Sequence, residues 1–190
     1  MATRTTPQGT SAARDRLLRT ASDLFYREGI HAVGVDRIIA EAGVTRATFY
    51  RHFPSKEDLV EAYLGEEDAG IRGAFAAARE MTEAPADLPG LVVEGLAADI
   101  AGRHTRGCPF INAAAEYPDP ASGVRRTVAS HRDWFRAELV DVLTNAGVDR
   151  PAERAGELVL LRDAAMVGGY LDGWDAVSEA FRTAAGRTLG

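Results

Sequence analysis

Residues 34–53 read GVDRIIAEAGVTRATFYRHF and continue into PSKEDL at 54–59, and this stretch decides the fold. Ile38, Ile39 and Ala42 make the apolar side of one short helix. Gly43 follows at once, where the helix end needs a left-handed residue, and glycine adopts that conformation without steric cost. Val44 closes the turn, and Thr45 is placed to cap a second helix, its hydroxyl accepting a hydrogen bond from a free backbone N–H. In that second helix Phe49 and Phe53, four residues apart, are expected to be strongly buried and Ala47 weakly. Arg46, Thr48, Tyr50, Arg51 and His52 fall on its other faces. A helix ended by glycine, a turn of about three residues and a polar, arginine-bearing helix is the sequence form of a DNA-binding helix-turn-helix.

Working outward, a first helix is expected from near Thr10 or Ser11 to Glu28, with Gly29 as its stop. Leu17, Leu18, Ala21, Leu24 and Phe25 form its single apolar stripe. Residues 1–10 are polar and hold Pro7 and Gly9, so a flexible tail is expected there. Downstream, Ser55 caps a fourth helix with Asp58 at its third position, and Leu59, Tyr63 and Leu64 continue its buried face. Gly65, Gly70 and Gly73 are expected to interrupt that helix, as a hinge or for close packing. The expected organisation is a tail at 1–10, a helix-turn-helix head at 11–54 and a helical body at 55–190.

The 190 residues are 46% apolar and 26% charged, as in an ordinary globular protein, and no run of about eighteen apolar residues suggests a membrane span. The first residues lack an apolar signal core, so a cytoplasmic location is expected. A single cysteine excludes an internal disulfide framework and a multi-cysteine zinc site. The formal net charge of −6 is unequally spread: residues 1–60 carry nine basic and seven acidic side chains, net +2, which leaves −8 for the rest. A mildly basic head on an acidic body suits phosphate binding, which needs a few well-placed cations and not a basic whole. With no alternating β-branched run, the chain reads as all-α, about nine helices in total.

The segment from Ala13 to Leu64 closely resembles the N-terminal domain of the TetR family of bacterial transcriptional regulators. The marks are Leu24, Phe25 and Gly29, then Ile38 to Val44, Thr48 to Phe53, and Ser55 to Leu59, in that order and spacing. The resemblance implies an all-helical homodimer whose recognition helices enter successive major grooves of a palindromic operator. It implies phosphate contacts for Thr45, Thr48, His52 and Lys56, with Arg37 in a similar place, and base-facing positions for Arg46 and Ala47. Arg46 has the planar fork that suits guanine, and Ala47 suits a thymine methyl. Tyr50 either reaches a phosphate or base edge or covers the core, and Arg51 is a groove or phosphate cation or a solvated charge. Asp36 departs from the pattern: an acid there either repels phosphates or, the preferred reading, serves the helix dipole.

The body is expected to hold helices at about 88–103, 109–116, 122–146, one starting after Pro151, and one from Trp174 to Ala185 ending at Gly186. GCPFINAAAEYPDP, residues 107–120, resembles a run in the bodies of some such regulators. The family implies an inducer pocket there and a dimer interface from the last two long helices. Candidates for the interface are Leu158, Leu161, Ala165, Val177 and Phe181, which serve equally well as core. Candidates for the pocket are Phe110, Asn112, Glu116, Trp134, Phe135, Met166 and Tyr170, again with core as the alternative. Arg162 and Asp163 lie in an apolar segment and need partners, either a polar ligand group or an ion pair across the dimer. Cys108 reads as a small buried residue before a redox switch, and with His104 and Asn112 it mimics the residue types of a cysteine hydrolase. No cofactor or metal is expected. The reading is a repressor released from its DNA operator by a small molecule, not an enzyme; the alternative is a helical small-molecule-binding protein or enzyme with a vestigial head.

Overall fold

A computed structural model describes residues 11–190; the tail expected at 1–10 lies outside the described residues. Among the described residues there are nine α-helices and no strand. The chain divides into two compact units, Met1–Tyr63 and Leu64–Gly190.

The head unit contains α1 (Ala12–Glu28), α2 (Val35–Ala42), α3 (Arg46–His52) and the start of α4 (Lys56–Glu80). α1 buries its stripe of Leu17, Leu18, Ala21, Leu24 and Phe25, and Gly29 ends it with φ 96°. α2 closes on Gly43 at φ 63° and ψ 41°, the left-handed conformation expected of it. There the Gly43 N–H bonds the Ala40 carbonyl and the Val44 N–H bonds the Ile39 carbonyl. These two bonds satisfy carbonyls that a helix end otherwise leaves bare. Thr45 caps α3 by accepting the Thr48 backbone N–H at 3.1 Å. Phe49 is the one buried residue of α3, and Phe53, just beyond its end, packs with a ring centroid 6.2 Å from that of Phe49. Ala47 is exposed, a correction to its expected weak burial. In a seven-residue helix with one anchor at Phe49, position 47 lies on the opposite side.

Ser55 and Asp58 form the expected reciprocal cap: the Asp58 N–H donates to Ser55 Oγ at 3.1 Å, and the Ser55 N–H donates to the Asp58 carboxylate at 2.8 Å. The interruption expected at Gly65, Gly70 and Gly73 does not occur, and α4 is helical throughout its 25 residues. A glycine inside a helix costs about 1 kcal/mol, and burial of Leu64, Ile71 and Phe75 on the same helix outweighs that. Close packing applies at Gly70 alone, where an added Cβ would lie 3.3 Å from the Arg103 guanidinium; at Gly65 and Gly73 it would meet nothing within 4 Å.

The body unit adds α5 (Leu88–Gly102), α6 (Pro109–Glu116), α7 (Gly123–Asn145), α8 (Pro151–Asp172) and α9 (Trp174–Leu189). A short 3-10 turn at Pro85–Asp87, which periodicity does not signal, leads into α5. α8 and α9 meet where glycines remove side chains: a Cβ at Gly168 would stand 3.0 Å from Val177 Cγ1, and one at Gly169 would stand 3.3 Å from Ile100 Cγ2 on α5. α9 runs through Gly186 to Leu189, past its expected stop, with Ala185 and Thr188 buried on either side of that glycine. Leu158, Ala165 and Phe181 are buried within the unit's own core, so they are not interface residues in this chain; Leu161 and Val177 are half-buried. α8 is apolar on more than one face, which is why spacing alone could not separate core from surface.

Gly43 and Gly65 both have open space where a Cβ would go, so backbone conformation alone sets the effect of alanine at each. Gly43→Ala is expected to destabilise the protein by about 1–2 kcal/mol and Gly65→Ala to stabilise it by up to about 1 kcal/mol, measured by urea denaturation.

Candidate functional site

Two places carry chemistry, one in each unit. In the head, α3 buries Phe49 and leaves Arg46, Ala47, Tyr50 and Arg51 exposed. Their spacing of i, i+1, i+4 and i+5 puts them on one helix face. Arg46 forms an ion pair with Asp36 at the start of α2. The acid flagged as a departure is therefore the partner of the most prominent cation on α3. Tyr50 is 45% exposed and meets Phe49 edge to face at 5.1 Å, so its ring both covers the anchor and reaches solvent. His52 is half-buried, with Nε2 3.3 Å from Ser11 Oγ at the start of α1 and Arg51 beside it. The Thr48 hydroxyl lies 2.9 Å from that of Thr45, so both serve the cap. Lys56 opens α4 with its ammonium 5.8 Å from the centre of the Phe25 ring.

Arg37 differs from the others. Its guanidinium is held by Glu28 on α1 and Glu41 on α2. The hydrogen bonds it donates to Glu28, then to Glu41, push its pKa further above the ordinary arginine value. Arg37 thus ties two helices of the head together, a role that sequence spacing did not suggest.

In the body, a pocket of about 60 Å³ is walled by α4 (Gly70, Ile71, Ala74, Phe75), by α5 (Leu91, Leu96, Asp99), and by Phe135 and Arg162. Of the nine residues expected around a ligand, Phe135 and Arg162 line this pocket. Phe110 and Met166 are instead fully buried core. Phe110 stacks on the His131 ring at 3.6 Å, an arrangement that fills space and leaves none. Trp134 is half-buried beneath the Arg72 guanidinium at 4.0 Å, Asn112 donates to the Arg106 carbonyl at 3.2 Å, and Glu116 is half-buried at the end of α6. Tyr170 is 52% exposed on α8. Asp163 bonds Arg132 at 2.8 Å and Arg162 at 3.1 Å, an ion pair inside one chain. The missed residues are the small and apolar ones of α4 and α5, which nothing in the sequence sets apart from ordinary helix core or packing positions.

Around the pocket the buried polar groups are tightly bonded. His104 is 2% exposed, and its two ring nitrogens lie 2.6 Å from Asp99 and 3.2 Å from Glu67. Burial opposes its charge, but the two carboxylates outweigh burial and hold its pKa above the ordinary value. His131 lies at the other extreme. Burial keeps its pKa below the ordinary value despite the bond to Asp68 at 2.7 Å. The Cys108 sulfur accepts from Arg162 at 3.2 Å. The bonds of Cys108, His104 and Asn112 thus go to Arg162, to Asp99 and Glu67, and to the Arg106 carbonyl. Among the described residues no three His, Cys, Asp or Glu side chains gather as a metal site needs, and no helix is long and apolar enough to cross a membrane.

The family described as "Bacterial regulatory proteins, tetR family" matches residues 17–63. The transcriptional activator FasR of Mycolicibacterium smegmatis is 39% identical over 71 residues, which is 37% of this chain and 32% of that protein. The transcriptional repressor KstR2 of the same species is 39% identical over 59 residues, which is 31% of this chain and 29% of that protein. The chain thus spans about a third of the length of these curated relatives. The crystal structure of a TetR-family transcriptional regulator from Streptomyces coelicolor superposes with a TM-score of 0.88 at 46% identity, covering 93% of this chain and 94% of that one. A TetR transcriptional regulator from Legionella pneumophila, at 18% identity and a TM-score of 0.82, shares the fold.

The raised pKa of His104 has a definite sign. Its folded value lies above the ordinary 6.5, so its stabilisation is complete below about that pH and is lost as pH rises through the folded value. Urea denaturation from mildly acidic to alkaline pH is expected to show wild type and His104→Gln converging in stability as pH rises. A gap that stays constant would show that the imidazolium contributes nothing.

Proposed function

The chain belongs to the TetR family of transcriptional regulators, and on that premise we propose that it is a homodimeric repressor that binds a palindromic DNA operator through α3 and leaves it when a small molecule occupies the body pocket. The observation that carries the reading is the exposed face of α3. One phenylalanine anchors that helix, and arginine, alanine, tyrosine and arginine are left outward at positions 46, 47, 50 and 51. A helix that buries so little is suited to bury the rest against a groove.

In this reading Arg46 leaves or swings about Asp36 to place its fork on a guanine, and Ala47 lies against a thymine methyl. Thr45, Thr48, His52, Arg51 and Lys56 meet phosphates, and Tyr50 reaches a phosphate or base edge. Arg37, paired with two glutamates, adds little to phosphate binding and acts by fixing α1 against α2.

Dimerisation is assigned to an outer face of α8. Leu160, Val167 and Leu171 are 70%, 46% and 69% exposed, and with exposed Ala164 they form an i, i+4, i+7, i+11 stripe. Such a stripe on a helical surface favours burial against a partner. The coupling runs through α4, a single helix that carries Lys56 at one end and the pocket residues Gly70 to Phe75 further along. A ligand that binds the DNA-free arrangement more tightly shifts the population toward it by its difference in affinity. The relatives named as activator and repressor differ in the direction of control, so transcription from the protein's own promoter, with and without the protein, tests repression directly.

Arg46→Ala and Tyr50→Phe are expected to remain folded and to lose specific binding to the region upstream of the gene, Arg46→Ala by about 1–3 kcal/mol. Lys56→Ala should lower affinity for all sequences alike and reduce the salt dependence by about one ion. Wild-type binding by both α3 variants would refute the assignment of α3. For the dimer, Leu160→Glu with Leu171→Glu should yield a folded monomer by light scattering.

A further inference from the structure

Resting on the reading of the body pocket as a ligand site, we propose that its ligand is an organic monocarboxylate with an apolar body, its carboxylate held by the side edge of the Arg162 guanidinium. Three observations support this class. The first is hydrogen bonding. Arg162 is 2% exposed, and both of the bonds it makes leave from Nη1, to the Cys108 sulfur and to Asp163. Its Nε is buried without a partner. Nε and Nη2 form one straight edge of the guanidinium, the edge that takes a two-oxygen group bidentately. Buried donors of this kind are rare and call for a partner.

The second observation is charge. Arg162 shares its one carboxylate partner, Asp163, with Arg132, so two cations face one anion and a positive charge is left over. The other charged groups at the pocket do not supply the missing anion. Asp99 is bonded to His104, and Arg103 is paired with Glu67. The Cys108 sulfur is only a weak acceptor. A single negative charge at the free edge of Arg162 offsets that surplus.

The third observation is the wall. Apart from Arg162 and the paired Asp99 and Arg103, the lining is apolar, chiefly Ile71, Phe75, Leu96 and Phe135, with Gly70 and Ala74 leaving room between them. This surface suits an alkyl chain or an aromatic ring, and offers no array of polar groups for a sugar or a peptide. The present volume of about 60 Å³ admits a few waters. A larger acid must move α4 from α5, which is the displacement the release mechanism needs.

The test uses the full chain, with octanoate and phenylacetate as probes and octanol and phenylethanol as their neutral counterparts, followed by calorimetric titration. The acids are expected to bind about ten-fold or more tightly than the alcohols. Arg162→Gln should abolish that preference, and Gly95→Leu, which adds a side chain where a Cβ meets nothing within 4 Å at the pocket's edge, should weaken both classes. Equal binding of acids and alcohols to the wild type, no binding of either acid at millimolar concentration, or acid binding unchanged in Arg162→Gln would each overturn the proposal. The wild-type comparison decides the matter even if Arg162→Gln does not fold. A promoter-binding assay with the same probes separates this inference from its premise. Acids that bind through Arg162 yet leave DNA binding intact refute ligand release and uphold the acid site. Alcohols that release DNA while the acids do not bind uphold release and refute the acid site.

Discussion

A helix of seven residues has almost no stability of its own, because its first turn costs more conformational entropy than its few hydrogen bonds return. α3 must nevertheless hold a fixed place while exposing most of its surface. Its solution is concentrated in four residues. Gly43 turns the chain in a left-handed conformation, Thr45 caps the free Thr48 N–H, and Phe49 and Phe53 anchor the helix in the head's core. The rest of the head serves that arrangement. α1 supplies the apolar stripe beneath it, the Ser55–Asp58 cap starts α4 immediately after it, and Arg37 joins α1 to α2 through two glutamates.

The body obeys a different constraint. Its core is built around buried charge, which is stable only when each group finds partners. His104, Asp99 and Glu67 satisfy one another across α4 and α5, and Asp68 and His131 do so across α4 and α7. Arg162 differs from these groups, with one nitrogen left unsatisfied and its side chain at the pocket. Structural charge and available charge are told apart here by counting bonds and not by burial, since His104, His131 and Arg162 are all buried.

Local chemistry was legible in the sequence wherever one residue type is almost forced. The left-handed turn at Gly43, the caps at Thr45 and Ser55, and the phenylalanine pair all lie where residue order places them. Propensity misled at Gly65, Gly70, Gly73 and Gly186, because a helix tolerates a local penalty of about 1 kcal/mol when neighbours on the same helix are buried. Patterning misled in α8, which is apolar on more than one face. There Leu158 and Ala165 proved to be core, and Leu160, Val167 and Leu171 faced outward. The pocket was the least legible part. Met166 and Phe110 looked like ligand contacts and are core, whereas much of the lining is glycine, alanine and aliphatic residues of α4 and α5.

The sequence by itself determined that this protein is all-helical, where its DNA-reading motif starts and stops, and to which family it bears resemblance. Each of these depends on contacts within a few residues, which order along the chain specifies. Only the tertiary structure decided that Asp36 meets Arg46, that Arg37 is a tie between helices, and that Arg162 stands at a cavity with an edge unpaired. Those facts depend on which faces of separate helices meet. Helical periodicity says that a face is apolar, but the face it will pack against is set by the summed shape and charge of all its neighbours.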